Sequence, residues 1–568
     1  MKSVSLPIIW KILSKEERRT ARLLFLVLTV GVVLEVVSFG ALLPAISILT
    51  EGLSDGNTPL LSNFLGQRDE AFVVSFVVLG LILVFSVKSL YVIWSIWFQR
   101  EFCRRIEQRL AGNALRYYLN KPYVFHANHN SAELVRNVGT PSQFVALSVD
   151  SLLVFGTDGA VLVALLGLLL SIEPVATAVV IVVLGFLALA FHFLTRKRIA
   201  TWGLIRTNLE GKKLQVLQEG FTAIKELKAM ECENEFAKRF ELHLTQSTKI
   251  SRNYTVLTSL PRVWLEFLAF AGLGMLLIAL TAGGSSIAQS LPELAVFAAS
   301  AFRLLPTVNR LIFAVQNLRF GQAATEILTE INAGNPHKLL VGKKSLIEGL
   351  IEFKSVSFQY SRATSPTLKD ISLQVPSGTM IGISGESGSG KSTVAYLLLG
   401  LLEPTAGQVI IGGVNIDKPV GKSIGYVPQS VYLIDDTVRK NVAFGVPDEY
   451  IDDRQVLRAL SQAHILSFLS EKPDGLDFHV GENGSRLSGG QRQRIGIARA
   501  MYADPKILVL DEATSAIDTV TAEQILKEVR SMRGTKTLFI ISHDRSVLNA
   551  CDRVFQLANG MVCETNNV

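Results

Sequence analysis

Six apolar runs, each about 20 residues long, dominate the first half of this sequence and start near Leu23, Phe72, Leu152, Ala176, Val263 and Leu294. A run of that length matches the hydrocarbon thickness of a bilayer when helical, and lipid offers backbone polar groups no partner outside the segment. The first half is therefore expected to be a six-span helical membrane bundle. Composition agrees: 49% of the 568 residues are hydrophobic, only 18% are charged, and the mean hydropathy of +0.35 is too high for a soluble chain.

The charges between the runs set the orientation. Lys11, Lys15, Arg18, Arg19 and Arg22 precede the first run, whereas the loop from Glu51 to Glu70 has Arg68 as its single cation. Cations also crowd 100–116 and 196–252, while the turns around Glu173 and in TAGGSSIAQS carry none. By the positive-inside rule both termini and two long loops face the cytosol. The same clustering accounts for the net charge of +7 and argues against nucleic acid as a partner. The run from Leu23 to about Ile46 is too long for a signal-peptide core and is read as a retained first span. Cys103, Cys232, Cys551 and Cys563 are widely spaced, so reduced thiols are expected rather than a disulfide framework or a metal site. The cytosolic loops carry helix-compatible sequence such as RRIEQRLAGNALRYYLN, as if the membrane helices continue beyond the bilayer.

From Ile351 the pattern changes to short apolar strands, glycine-rich turns and helices, the mark of an α/β nucleotide-binding fold. The expected organisation is a membrane domain over 1–320, a linker over 321–349 and a nucleotide-binding domain over 350–568. After the strand TMIGIS comes a loop of Gly385, Glu386, Ser387, Gly388, Ser389, Gly390, Lys391, Ser392 and Thr393, which opens the helix STVAYLLLG. In such a loop backbone N–H groups and a helix N-terminus cradle phosphates, Lys391 neutralises the β and γ phosphates, and the Ser392 hydroxyl binds Mg2+. The strand ILVLDE ends in two carboxylates with different expected tasks: Asp511 holds the magnesium shell and Glu512 polarises the attacking water as general base.

Between these motifs lies LSGGQ, from Leu487 to Gln491, and downstream lies His543 in FIISHD. In this order and spacing the motifs resemble those of ATP-binding cassette transporters, and a membrane half ahead of the cassette resembles the exporter arrangement. The resemblance implies ATP and Mg2+ as cofactors and ATP hydrolysis coupled to translocation. It also implies roles for single residues: Tyr360 stacks on adenine, Gln429 senses magnesium and the membrane loops, and His543 contacts the γ phosphate. Asp518 belongs to an inter-subunit loop, and Ser488, Gly489, Gly490 and Gln491 form a signature that closes on the nucleotide held by another cassette. One cassette and six spans then call for a dimer, most simply of two identical chains, with the long cytosolic loops transmitting force.

The cargo must be read from the membrane half. Lys88, Arg262, Arg303 and Arg310 fall in or beside the expected spans, where cations are costly and usually face a cavity or a partner. Arg303 and Arg310 are seven residues apart and so share one helix face. Snorkelling of Lys88 or Arg310, pairing of Arg262 with Glu266, and neutralisation by Glu35 are the plainer readings. The stretches KPYVFHANHNSAELVRNV, SLPRVWLE and AFRLLPTVNRL resemble bacterial flippases for lipid-linked oligosaccharides, in which basic residues at matching places meet the pyrophosphate. The expected function is thus an ATP-driven flippase in a bacterial inner membrane, moving a polyprenyl-pyrophosphate glycan or similar anionic lipid to the outer leaflet. An exporter of peptides or amphipathic drugs is the alternative, and an ATP-gated channel or regulator a more distant one.

Overall fold

A computed structural model of the chain describes residues 6–41, 70–172, 174–282, 287–333, 347–361, 363–513 and 517–565. Most of the loop from Glu51 to Glu70, the residue Glu173 and the centre of TAGGSSIAQS lie outside the described residues, as does the side chain of Arg303. The described residues fall into two compact units, one drawn from Met1–Lys121 and Asn128–Leu339, the other from Pro122–Ala127 and Leu340–Val568.

The first unit is helical. Its long rods are Lys15–Gly40, Glu70–Leu119, Asp150–Ile172, Pro174–Thr222, Glu233–Ala282 and Ile287–Phe320. Three of them have 49 or 50 residues, about 75 Å at the helical rise per residue. That is more than twice the hydrocarbon thickness of about 30 Å, so these helices continue well past a bilayer. The third rod continues from Ser131–Phe144 through a π-helical turn at Val145–Val149. Apolar side chains sit on both sides of this unit. Val161, Leu165, Leu169 and Leu304 are buried together, while Leu194 and Phe270 are each 78% exposed, the inside-and-outside apolar pattern of helices solvated by lipid. The expected linker over 321–349 begins as a helix, Gln322–Ala333, whose Ala323, Ala324, Leu328 and Ile331 are buried in this unit.

The second unit contains two sheets. One is antiparallel in the order β2-β1-β4-β5, from Leu368–Val375, Ile351–Phe358, Ala406–Ile411 and Val414–Asn415. The other runs β10-β9-β3-β8-β7-β6, from Met561–Thr565, Arg553–Ala558, Met380–Gly385, Thr537–Ile541, Ile507–Asp511 and Ile424–Val427. Its five strands from β9 to β6 are parallel. Every residue of β7 and β8 is buried, as expected where helices cover both faces of a parallel sheet. The parallel order brings the carboxyl ends of β3, β8 and β7 side by side, the edge at which such sheets build ligand sites.

Candidate nucleotide site

Each of those three neighbouring strand ends delivers one of the expected motifs. The phosphate loop leaves β3 and enters the helix Lys391–Leu398. Two glycines are required by the backbone. Gly385 has φ of +148°, and a Cβ there would stand 2.4 Å from the Leu557 carbonyl oxygen. Gly390, the N-cap, has φ of +104°, and its Cβ would meet Leu368 at 2.8 Å. Lys391 is buried, and its Nζ donates to the carbonyls of Gly385 and Glu386, both at 2.9 Å, closing the loop on itself. The Ser389 hydroxyl is buried without a hydrogen-bond partner. An orphaned donor inside a glycine-rich loop at a helix N-terminus fits a phosphate oxygen. Tyr360 lies edge-on to Phe358 at 4.8 Å, and its hydroxyl reaches that of Thr393 at 3.2 Å, so the aromatic expected to stack on adenine is fastened to the phosphate-loop helix.

At the end of β7, Asp511 is only 4% exposed. Burial pushes its carboxyl above the usual aspartate range and the neighbouring Glu512 charge adds to this, while the Ser392 and Tyr426 hydroxyls and the Lys391 ammonium act in the opposite sense. Among the described residues, no group of three or more His, Cys, Asp or Glu is placed to hold a metal unaided. The oxygen pair of Asp511 and Ser392 suits a hard cation that takes its remaining ligands from phosphate and water.

Glu512 is gripped from several directions. Its carboxylate accepts from Gln429 Nε2 at 2.6 Å and lies 3.2 Å from His543 Nε2. Its own N–H donates to the Ile541 carbonyl at 3.0 Å, and its carbonyl accepts from Gln493 Nε2 at 3.0 Å. With these restraints the residue holds φ of +49°, a left-handed conformation that only a well-determined surrounding sustains in a non-glycine residue. A carboxylate so fixed, beside a phosphate-binding loop, is placed to orient and deprotonate water.

The structure thus assembles Tyr360, Gly385–Thr393, Gln429, Asp511, Glu512 and His543 around one strand edge. The signature residues engage one another instead. Ser488 caps the helix Gly489–Tyr502 in a reciprocal capping box: its hydroxyl accepts from the Gln491 N–H at 3.2 Å, and its N–H donates to the Gln491 side chain at 2.9 Å. Asp518 caps Thr519–Ser531 and accepts from the Thr521 N–H at 2.9 Å, a bond that holds its carboxyl below the usual aspartate range. Gln493 does not stand out in the sequence. Its signal is weak there, a second glutamine in the run GGQRQ.

In the membrane unit three of the candidate cations have carboxylate partners. Lys88 Nζ lies 2.9 Å from the Glu35 carboxylate, with the two side chains 17% and 9% exposed. Arg310 makes two bonds to Asp158, at 2.8 and 3.1 Å. Arg262 pairs with Glu266 one turn along at 2.8 Å, both largely exposed. Three of the four cations are therefore neutralised by carboxylates; Arg303 lies on the Ile287–Phe320 helix with its side chain outside the described residues.

Comparison with known proteins agrees over most of the chain. Residues 28–304 match the ABC transporter transmembrane region and 368–515 match the ABC transporter cassette. The chain is similar to an ATP-dependent lipid A-core flippase of Haemophilus influenzae (strain 86-028NP), 27% identical over 93% of this chain and 92% of the relative. A protein of the same description from Chromobacterium violaceum is 29% identical, with 92% and 88% covered. A solved bacterial Atm1-family ABC exporter with ATP bound superposes with a TM-score of 0.76, at 22% identity and 96% and 94% coverage. With a nucleotide site of this geometry and a helical membrane unit ahead of it, the chain belongs to the ABC transporter family, as a multi-pass membrane ATPase with the exporter fold.

Proposed function

We propose that two copies of this chain form an ATP-driven flippase that moves an anionic, glycan-bearing lipid, such as a polyprenyl-pyrophosphate glycan, from the inner to the outer leaflet of a bacterial inner membrane. The observation that carries this reading is the Arg310–Asp158 pair in the membrane unit, whose Arg310 side chain is 50% exposed and so within reach of an anionic headgroup. Ionisable groups inside a membrane unit are expensive and mark a route for charge, which a carrier of purely apolar cargo would not need. Similarity over about nine-tenths of the chain to proteins described as ATP-dependent lipid A-core flippases supports a lipid cargo. Arg303 and Arg310 are the residues assigned to the lipid phosphates, Arg310 by exchanging Asp158 for a phosphate oxygen.

In hydrolysis Lys391 and the loop 385–390 hold the phosphates, and Glu512, oriented by Gln429 and His543, takes the proton of the attacking water. Ser392 and Asp511 would hold Mg2+, which would supply charge neutralisation at the phosphates. Ser488 and the helix N-terminus behind it close on the nucleotide of the partner copy, so each site is completed only in the dimer.

The test uses the full chain in proteoliposomes. ATP-dependent movement between leaflets is read with fluorophore-labelled lipids and a membrane-impermeant quencher, for a polyprenyl-pyrophosphate glycan, a phosphorylated glycolipid and a zwitterionic phospholipid. Transfer and raised ATP turnover with one or both anionic glycolipids are expected. Equal transfer of the zwitterionic lipid, or none of either glycolipid, refutes the reading.

A further inference from the structure

The exposed face of the helix Pro174–Thr222 changes character abruptly. Phe186, Leu189, Phe193 and Leu194 are exposed apolar side chains, and Arg196, Lys197 and Arg198 follow, also exposed. From Pro174 to His192 is 18 residues, about 27 Å along the axis, which brings His192 to the inner boundary of a hydrocarbon layer about 30 Å thick. At this level two guanidiniums meet one pair of rings. Arg319 Nη2, from the helix Ile287–Phe320, lies 2.6 Å from His192 Nε2. The His192 and Phe193 ring centroids are 5.5 Å apart, and the Arg196 guanidinium lies over the Phe193 ring at 5.1 Å. A guanidinium only donates, so His192 Nε2 accepts and the ring is neutral, with its proton on Nδ1.

These guanidiniums differ from the other cations of the membrane unit. Lys88, Arg262 and Arg310 have carboxylate partners, whereas among the described residues no carboxylate pairs with Arg196 or Arg319. Arg319 also points away from bulk water. A Cβ on Gly203 would stand 2.3 Å from the Phe320 carbonyl oxygen, so the Ile287–Phe320 helix ends level with Gly203. Gly203 is 11 residues past His192, about 16 Å further along the axis. The Arg319 side chain therefore extends back from the helix end toward the apolar zone, where a snorkelling cation would turn outward. A half-buried guanidinium turned this way and held by a neutral acceptor suits an anion that arrives at headgroup depth.

We propose that Arg319 and Arg196, set about the His192–Phe193 ring pair, hold the phosphates of an anionic lipid headgroup in the cytosolic leaflet, as a loading position before the lipid reaches Arg310. Arg310 lies nine residues earlier on the same helix as Arg319, about 13 Å deeper along its axis. The direction of travel rests on the flippase reading and on the orientation set by the flanking cations. Guanidiniums offer phosphate oxygens paired donors in a fixed fork, which a lysine ammonium does not. The exposed Phe186, Leu189 and Leu194 beside them would lie against the lipid chains, which a free anion does not have.

The experiment uses the full-length chain in nanodiscs of zwitterionic phospholipid, with ADP filling the nucleotide site and a photoreactive polyprenyl pyrophosphate as probe. Labelled peptides are identified by mass spectrometry, and the quantity read is the probe concentration that half-saturates labelling of the 186–199 stretch. Arg319→Gln and Arg196→Gln should each raise it about ten-fold, the worth of one charge-assisted hydrogen bond. The double variant should raise it by less than the product, because both residues hold one headgroup. Arg319→Lys keeps the charge and loses the fork, and should fall between wild type and Arg319→Gln. Lys197→Gln with Arg198→Gln removes two neighbouring exposed cations and should have a smaller effect than either single arginine variant. An equal loss there would mean diffuse attraction and overturns the proposal. So does an unchanged half-saturation in Arg319→Gln, equal labelling by a photoreactive polyprenol, or block by inorganic pyrophosphate at the probe's own concentration, which would make this a free-anion site. Should Arg319→Gln misfold, Arg196→Gln, at an exposed position, decides by the same quantity. Labelling and transport fail separately. Wild type that is labelled here with the expected losses yet transfers no glycolipid refutes the flippase reading and leaves the lipid-phosphate site. Glycolipid transfer by wild type with undiminished labelling in Arg319→Gln removes the site alone.

Discussion

Replacing Gln493 with leucine tests how Glu512 is held. Gln493 is 3% exposed and belongs to the helix Gly489–Tyr502, and its Nε2 donates to the Glu512 carbonyl at 3.0 Å. Leucine keeps roughly the bulk and withdraws the donor, leaving a buried carbonyl short of a partner at a cost of about 1 to 3 kcal/mol. Glu512 is also the residue held at φ of +49°, so losing this restraint frees the backbone to relax toward an ordinary conformation and turn the carboxylate away. If the whole cost appears in the hydrolytic step, kcat falls about 5- to 150-fold at 1.36 kcal/mol per factor of ten. The interaction serves the base rather than the nucleotide, so KM for ATP should stay within about two-fold while kcat and kcat/KM fall together. The assay is steady-state ATPase on full-length protein, with thermal unfolding followed in parallel. In a Glu512→Gln background, itself expected to lose about 100- to 10,000-fold as the general base is removed, single-turnover hydrolysis should respond little to Gln493→Leu. A folded Gln493→Leu protein with wild-type kcat, or an undiminished further loss in the Glu512→Gln background, refutes the reasoning.

Gly385→Ala places a Cβ 2.4 Å from the Leu557 carbonyl oxygen at a φ of +148°, and should weaken ATP-analogue binding at least ten-fold; wild-type affinity by fluorescence titration would contradict this. Lys88→Met leaves Glu35 buried without its cation and should destabilise the folded protein by about 3 to 5 kcal/mol, whereas Lys88→Met with Glu35→Leu should recover most of it. Thermal unfolding in nanodiscs reads both, and equal loss in the two variants would deny that the pair is a structural unit. Ser488→Asp preserves an N-cap acceptor but puts a negative charge at the signature, so stability should hold while ATPase activity falls; Ser488→Ala should cost about 0.5 to 2 kcal/mol in unfolding. Unimpaired ATPase in folded Ser488→Asp would refute a phosphate-facing role. Burial pushes the Cys551 thiol up to about 12, so about one molecule in ten thousand is thiolate there at pH 8. Maleimide should modify the exposed Cys563 well before Cys551, with the Cys551 rate rising as pH increases; equal rates at pH 8, read by peptide mass spectrometry, would contradict the burial.

Much of this was legible in the sequence because its determinants are local. An apolar run long enough to span lipid declares a helix without reference to its neighbours, and the phosphate loop is defined by glycines and a lysine within nine consecutive residues between a strand and a helix. The capping box at Ser488 and Gln491 is likewise a spacing of three. What stayed hidden depends on residues far apart in the chain. Glu35 and Lys88 are 53 positions apart, and their pairing turns an apparent free cation into half of a neutral unit. Asp158 and Arg310 are 152 apart. Arg262 was the exception, since its partner Glu266 is one turn away and readable from helix geometry alone.

The same distinction separates what holds ATP from what times its hydrolysis. Phosphate binding falls to one continuous segment at the end of β3, restrained by glycines where no Cβ fits and by a lysine hydrogen-bonded to its own loop. The hydrolytic carboxylate Glu512 is restrained from three other elements. Gln429 comes from the chain after β6, Gln493 from the signature helix and His543 from the turn after β8. Displacing any one of these elements shifts a polar contact relative to Glu512 while leaving the phosphate loop intact. The signature helix bears on this directly: its N-terminal Ser488 is the expected contact with the partner's nucleotide, and Gln493, one turn further along, is bonded to the Glu512 carbonyl of its own chain. A movement of that helix on dimer closure would therefore reach Glu512 through a single hydrogen bond, which is why the Gln493 substitution should separate turnover from binding.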